Sequence, residues 1–165
     1  MKKILVILLI SIILFTNNTK KDDLIRIRII ANSNSEYDQQ IKEKVSSDVR
    51  KKLYTILKNE NNIDSAREKI RNNVDNIEKI IKKDLTNEEY SYSINYGLNY
   101  FPKKEYKGKI YKEGNYESLL ITLGKGEGNN WWCILFPPIC LIEADEQEEV
   151  EYNFFFKDLI NKIFK

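Results

Sequence analysis

Hydrophobic and polar positions along the chain change period several times, and each change marks an element. In "LIRIRIIANSNS", Ile25, Ile27 and Ile29 alternate with Arg26 and Arg28, the period of a strand with one buried face. Ala31 to Ser35 supplies turn and cap residues, and Asp38 favours a helix start just beyond. From Tyr37 the spacing lengthens: Ile41, Val45, Val49, Leu53 and Leu57 fall four apart, giving one apolar stripe on a long helix. "NENNID" interrupts it, and Asn62 or Asp64 can cap a second helix carrying Ile63, Ala66, Ile70, Val74, Ile77 and Ile81 on its own stripe. Two such helices joined by a short polar loop form an antiparallel hairpin whose stripes need a partner surface.

A sheet can provide that surface. Tyr90, Tyr92, Ile94, Tyr96, Leu98 and Tyr100 alternate against polar residues, a strong strand pattern that Pro102 ends. Further strands are predicted at about 104–112, with Gly108 as a bend, and at about 116–123, turning at Glu113-Gly114-Asn115. Trp131 to Phe136 is a last apolar strand, stopped by Pro137 and Pro138. The predicted class is α+β: an N-terminal strand, an antiparallel helical hairpin, then three to four mainly antiparallel strands, with the helices on one sheet face.

The flanks differ from this domain. Met1, Lys2 and Lys3 precede an apolar run from Ile4 to Phe15. Twelve residues at ~1.5 Å rise cover about 18 Å, short of the ~30 Å hydrocarbon core. Residues 1–16 therefore read as a signal peptide or a thin N-terminal anchor, 17–23 as a linker and 24–142 as one domain. Residues 143–165 form an acidic and aromatic tail with a short helical pattern in "FFFKDLINKIF". On this reading the bulk of the chain lies outside the cytoplasm, and the membrane is met only through the N-terminal segment.

Composition narrows the chemistry. The 27 basic and 25 acidic side chains leave a net charge of +2, so no global field favours nucleic acid. Histidine is absent, which removes the commonest general base and the usual zinc ligand sets. No catalytic, cofactor-binding or metal site is assigned. Gly124, Gly126 and Gly128 mimic a nucleotide loop, but a phosphate cradle needs a helix directly behind it, and "NNWWCILFPP" is β-prone. The glycines read as a flexible connection between strands. The six acids from Glu143 to Glu151 lack the spaced order of a calcium loop and read as a solvated linker.

Three features suit recognition better than catalysis. Cys133 and Cys140, an even pair in an exported chain, suggest a disulfide worth about 2–3 kcal/mol; two free core thiols are the alternative. Trp131 and Trp132, being adjacent in a strand, face opposite sides, so one joins the core and the other an edge, surface or interface; the alternative is that both are packed, one by the core and one by the C-terminal "FFF" segment. Together with Phe136, Pro137 and Pro138 they are the candidate partner-binding residues. Arg26 and Arg28 could grip an anion, although solvated strand charges are the simpler reading. The tyrosine face could stack carbohydrate, although alternation with Ile94 and Leu98 more often marks a core face.

Two blocks, "IRIRIIANSNSEYDQQIKEKVSSDV" and "GNYESLLITLGKGEGNNWWCILFPPIC", resemble the stage II sporulation protein R family of endospore-forming bacteria; "FPKKEY" at Phe101–Tyr106 adds to the likeness. The resemblance spans roughly Leu24 to Leu141. It implies a protein made in the forespore and secreted into the space between the two spore membranes. There it would contact the extracytoplasmic part of a membrane-embedded aspartic protease and trigger processing of a mother-cell pro-sigma factor, with no catalysis of its own. A secreted carbohydrate- or cell-wall-binding module is the alternative.

Overall fold

The computed structural model describes residues 24–86, 91–106 and 109–138. A four-stranded mixed sheet is built from β1 (Ile25–Ile30), β2 (Tyr92–Phe101), β5 (Gly114–Leu123) and β6 (Asn130–Phe136), in the order β2-β5-β1-β6. β1 and β5 run parallel, and the other neighbours are antiparallel. The region predicted as one strand at about 104–112 is instead a separate small hairpin, β3 (Lys104–Tyr106) and β4 (Lys109–Tyr111). Gly108 lies outside the described residues.

Three helices cover one face. α1 (Glu36–Leu57) starts at Ser35, whose hydroxyl accepts from the Asp38 amide, and lies against β6 and β1. The second predicted helix is two: α2 (Ile63–Asn72), capped by the Asn62 side chain, and α3 (Val74–Asp84). Asn73 leaves helical geometry at φ −113°, and its side-chain amide donates back to the Lys69 carbonyl at 2.9 Å. Asparagine competes with the helix ladder in this way, so the helix breaks at "NN" although the apolar stripe runs on through both pieces. Among the described residues the helical part is therefore a three-helix layer and not a simple hairpin.

The stripes meet the sheet as their periods require. Val45, Val49, Leu53, Leu57, Ala66, Ile70, Ile77 and Ile81 are fully buried beside Ile25, Ile27, Ile29, Leu119, Ile121 and Leu135. Tyr92 and Tyr96 also point to this side and pack on the core; their hydroxyls donate to Glu78 at 2.8 Å and Glu117 at 3.0 Å. The tyrosine face is thus mainly a core face, and of its tyrosines Tyr100 is the exposed one among the described residues. Among those residues no helix is long and apolar enough to cross a membrane; the segments 1–16 and 143–165 lie outside them.

The strand order explains the glycine-rich segment. β5 and β6 flank β1, so residues 124–129 must cross over the chain as it leaves β1. The two segments interlock there. The Asn32 side-chain oxygen accepts from the Lys125 amide at 2.9 Å, and the Asn34 side-chain oxygen from the Asn129 amide at 2.7 Å. Main-chain bonds from Glu127 to Asn32 and from Gly128 to Ala31 close the contact. Asn32 and Ser33 are themselves fixed by donating to buried Asp38. The glycines are a tight crossover rather than a flexible connection.

Candidate functional site

Alternation along β1 sends Ile25, Ile27 and Ile29 into the helix side and Arg26 and Arg28 to the opposite face. β1 is a central strand, so neither arginine is the solvated strand charge expected from sequence. Arg26 is 7% exposed, with its guanidinium carbon 3.4 Å from the Tyr116 ring centroid and 5.8 Å from that of Phe101. Those two rings meet edge to face at 5.9 Å. A guanidinium spread over aromatic faces is held by the ring quadrupole, which compensates part of the cost of removing it from water.

Arg28 is placed differently. Its Nη1 donates to the Tyr100 carbonyl at 3.3 Å. With the Asn130 amide turned so that its oxygen faces the guanidinium, that oxygen accepts from Nη2 at 3.1 Å and Nε at 3.2 Å. The Phe101 ring lies 5.7 Å away. Burial lowers the Arg28 pKa from its ordinary value, but guanidinium remains charged at physiological pH. Neutral oxygens hold this cation, and neutral oxygens alone do not cancel its charge.

Between these side chains lies a pocket of about 320 Å³ on the face away from the helices. Its walls are Arg26 and Arg28, Phe101 at the end of β2 with Pro102 after it, Tyr111 at the end of the small hairpin with Lys112 after it, and residues 128–130 leading into β6 with Trp132. Trp132 meets Tyr111 edge to face at 5.3 Å. Three of the lining residues are cations, several are aromatic, and among the described residues no acidic side chain lines the pocket. It suits an anion attached to something flat or apolar.

The residues singled out from sequence are divided by this geometry. Trp131 pairs with Ile29 in register, packs on the core, and has the Arg50 guanidinium 5.5 Å from its ring centroid. Trp132 pairs with Arg28 and lines the pocket. The strand period therefore sends the two tryptophans, both partly exposed, to opposite faces, Trp131 to the helix side and Trp132 to the pocket. Cys133 returns to the helix side and is buried; Cys140 lies outside the described residues. Phe136 is buried at 8% exposure and precedes a cis bond to Pro137, and Pro137 and Pro138 are partly exposed. Trp131 to Phe136 is thus a sheet strand, in which Phe136 is buried and Trp131 partly exposed. Sequence reasoning did not find Phe101, Tyr111, Lys112 or Asn130 as site residues. For the arginines a signal existed: charges on a strand that ends up central cannot both be solvated.

The fold and this face define a class: a small α+β domain with a mixed sheet, helices on one side and a cationic, aromatic pocket on the other. Within it, the chain belongs to the stage II sporulation protein R family, whose model matches residues 21–146. The chain is 41% identical over 132 residues to stage II sporulation protein R of Bacillus subtilis (strain 168), an alignment covering 79% of this chain and 59% of that protein. The matched part thus spans about three-fifths of the curated relative. No solved structure matches. The family gives the protein a role in sporulation.

Proposed function

We propose that this protein is a sporulation signal, secreted from the forespore into the intermembrane space or tethered there by its N-terminal segment. It acts by contact on the extracytoplasmic part of a membrane-embedded aspartic protease, which then processes a mother-cell pro-sigma factor. It contributes no catalytic group. Family membership supports the sporulation setting. The observation that carries the contact reading is Trp132, a tryptophan placed by strand register on a pocketed face and not in the core, since such residues dominate interface energies. Binding favours the active protease through higher affinity for that state.

Co-expression of the full chain with the protease and pro-sigma factor in a non-sporulating host tests this. Processing, read by immunoblot, should require this protein and should be lost with Trp132→Ala while the variant remains folded. Undiminished processing by Trp132→Ala would remove the pocket from the contact surface. We also propose a Cys133–Cys140 disulfide in the exported protein. Non-reducing peptide mapping should recover one cross-linked peptide, and two alkylated thiols would refute it.

A further inference from the structure

We infer that the pocket between Arg28, Lys112 and Trp132 binds a carboxylate-bearing peptide segment of the partner, with an aspartate or glutamate side chain against Arg28 and an apolar neighbour against the aromatic wall. This deepens the contact reading above and rests on it for the partner's identity, though the binding chemistry stands on the pocket alone.

Four observations carry it. Arg28 is partly buried and is held by two neutral oxygens, from Tyr100 and Asn130, which fix its fork without neutralising it. Among the described residues no carboxylate offsets the desolvation of this guanidinium, so an arriving anion finds a cation that these residues hold without neutralising. Lys112, in the link between β4 and β5, adds a second cation, and among the described residues no acidic side chain lines the walls, so the described lining carries charge of one sign although the chain's net charge is only +2. Finally, Trp132 and Tyr111 form an edge-to-face aromatic wall beside the cations, which a bare inorganic anion would leave uncovered. The volume of about 320 Å³ sits at the small end of ligand sites, enough for a few side chains of an extended segment.

The test uses the purified full chain in detergent and two capped peptides, Asp-Phe-Asp-Phe-Asp and its Asn-Phe-Asn-Phe-Asn counterpart. Binding is followed by the fluorescence of Trp131 and Trp132, the chain's two tryptophans. The acidic peptide should quench or shift emission saturably, weakening as salt is raised, and the asparagine peptide should bind at least about tenfold more weakly. Arg28→Gln should also reduce affinity about tenfold or more. Should that variant fail to fold, Lys112→Glu, a change at an exposed site, should give the same direction with unchanged circular dichroism. Equal affinity for both peptides overturns the proposal, as does inorganic phosphate competing as strongly as the acidic peptide does. Binding that appears only after the six acids between Glu143 and Glu151 are changed to glutamine would assign the pocket to the chain's own acidic segment and overturn the partner proposal. Processing in the co-expression assay without any peptide binding would refute the pocket chemistry alone; peptide binding with no processing would refute the signalling reading alone.

Discussion

At Gly128 an added Cβ would lie 2.2 Å from the Ser33 carbonyl oxygen and 2.9 Å from the Ala31 Cβ. Both obstacles belong to the segment that the crossover grips, and the first is backbone, so neither can swing aside. Gly128→Ala should cost about 1–3 kcal/mol, seen as a lower urea midpoint at unchanged m-value; an unmoved midpoint would mean the crossover is looser than described. At Gly124 two penalties combine, a φ of +55° and an overlap with the Asn32 side chain that Asp38 and the Lys125 amide hold in place. None of this was legible in "GKGEG" by itself. The partner of these glycines is "ANSNS", more than ninety residues earlier, and only the strand order brings the two together. Tyr96 shows a second residue-scale effect. Burial, then the charge of Glu117 and the hydrogen bond to it, raises its phenol pKa above the ordinary 10.0. The unfolded phenol ionises near that ordinary value while the folded one stays protonated. The contribution is therefore full below about pH 10 and declines as pH rises beyond it. Tyr96→Phe should flatten the alkaline limb of the stability–pH curve, and an identical limb would exclude this residue as its source.

Among the elements, α2 is tied to the sheet by more than its stripe. Arg67 Nε donates to Glu117 on β5 at 3.0 and 2.8 Å, and Nη1 to Asp64 at 2.6 Å. Burial lowers the Arg67 pKa, but the bonds to Glu117 and then Asp64 outweigh it and the net shift is upward. The side chains of Arg67 and Glu117 are only 10% and 15% exposed, whereas Asp64 is 79% exposed, so the link to β5 is the stronger of the two. Removing Glu117 leaves Arg67 largely buried with only its exposed partner Asp64. Glu117→Ala should destabilise by about 2–3 kcal/mol, below the range for a wholly unpaired buried charge because Asp64 remains, and pairing it with Arg67→Met should recover a good part of that; denaturant titration of single and double variants decides it. Periodicity made the strand–helix–strand order and the core stripes readable here. It could not show the break at Asn73, because both helices lie on the same sheet and the stripe continues across. Nor could it show β1 beside β5 in parallel, because pairing between distant strands leaves no local mark.

On the scale of the whole molecule, the two sheet faces do different work, and the tryptophan pair spans them. The sequence fixes that Trp131 and Trp132 point opposite ways, but which side carries the helices is decided by the register of β6 on β1, where Trp131 sits opposite Ile29 and Trp132 opposite Arg28. Two substitutions of the same size should therefore have unlike consequences. Trp131→Ala removes a ring packed on the core beneath Arg50 and should cost about 2–4 kcal/mol. Trp132→Ala removes a pocket wall whose aromatic contact with Tyr111 is worth about 1 kcal/mol. Thermal or urea unfolding should rank Trp131→Ala as clearly the less stable, whereas pro-sigma processing at a temperature where both variants are folded should rank Trp132→Ala as the less active. The reversed ranking in both assays would place the recognition surface on the helix-covered side, and a parallel loss in both would reduce the pocket to a structural feature. Because the two residues are adjacent, the variants share chain length and N-terminal segment, and with protein levels equalised by immunoblot, as the stability difference requires, the side of the sheet is the main difference the comparison reads.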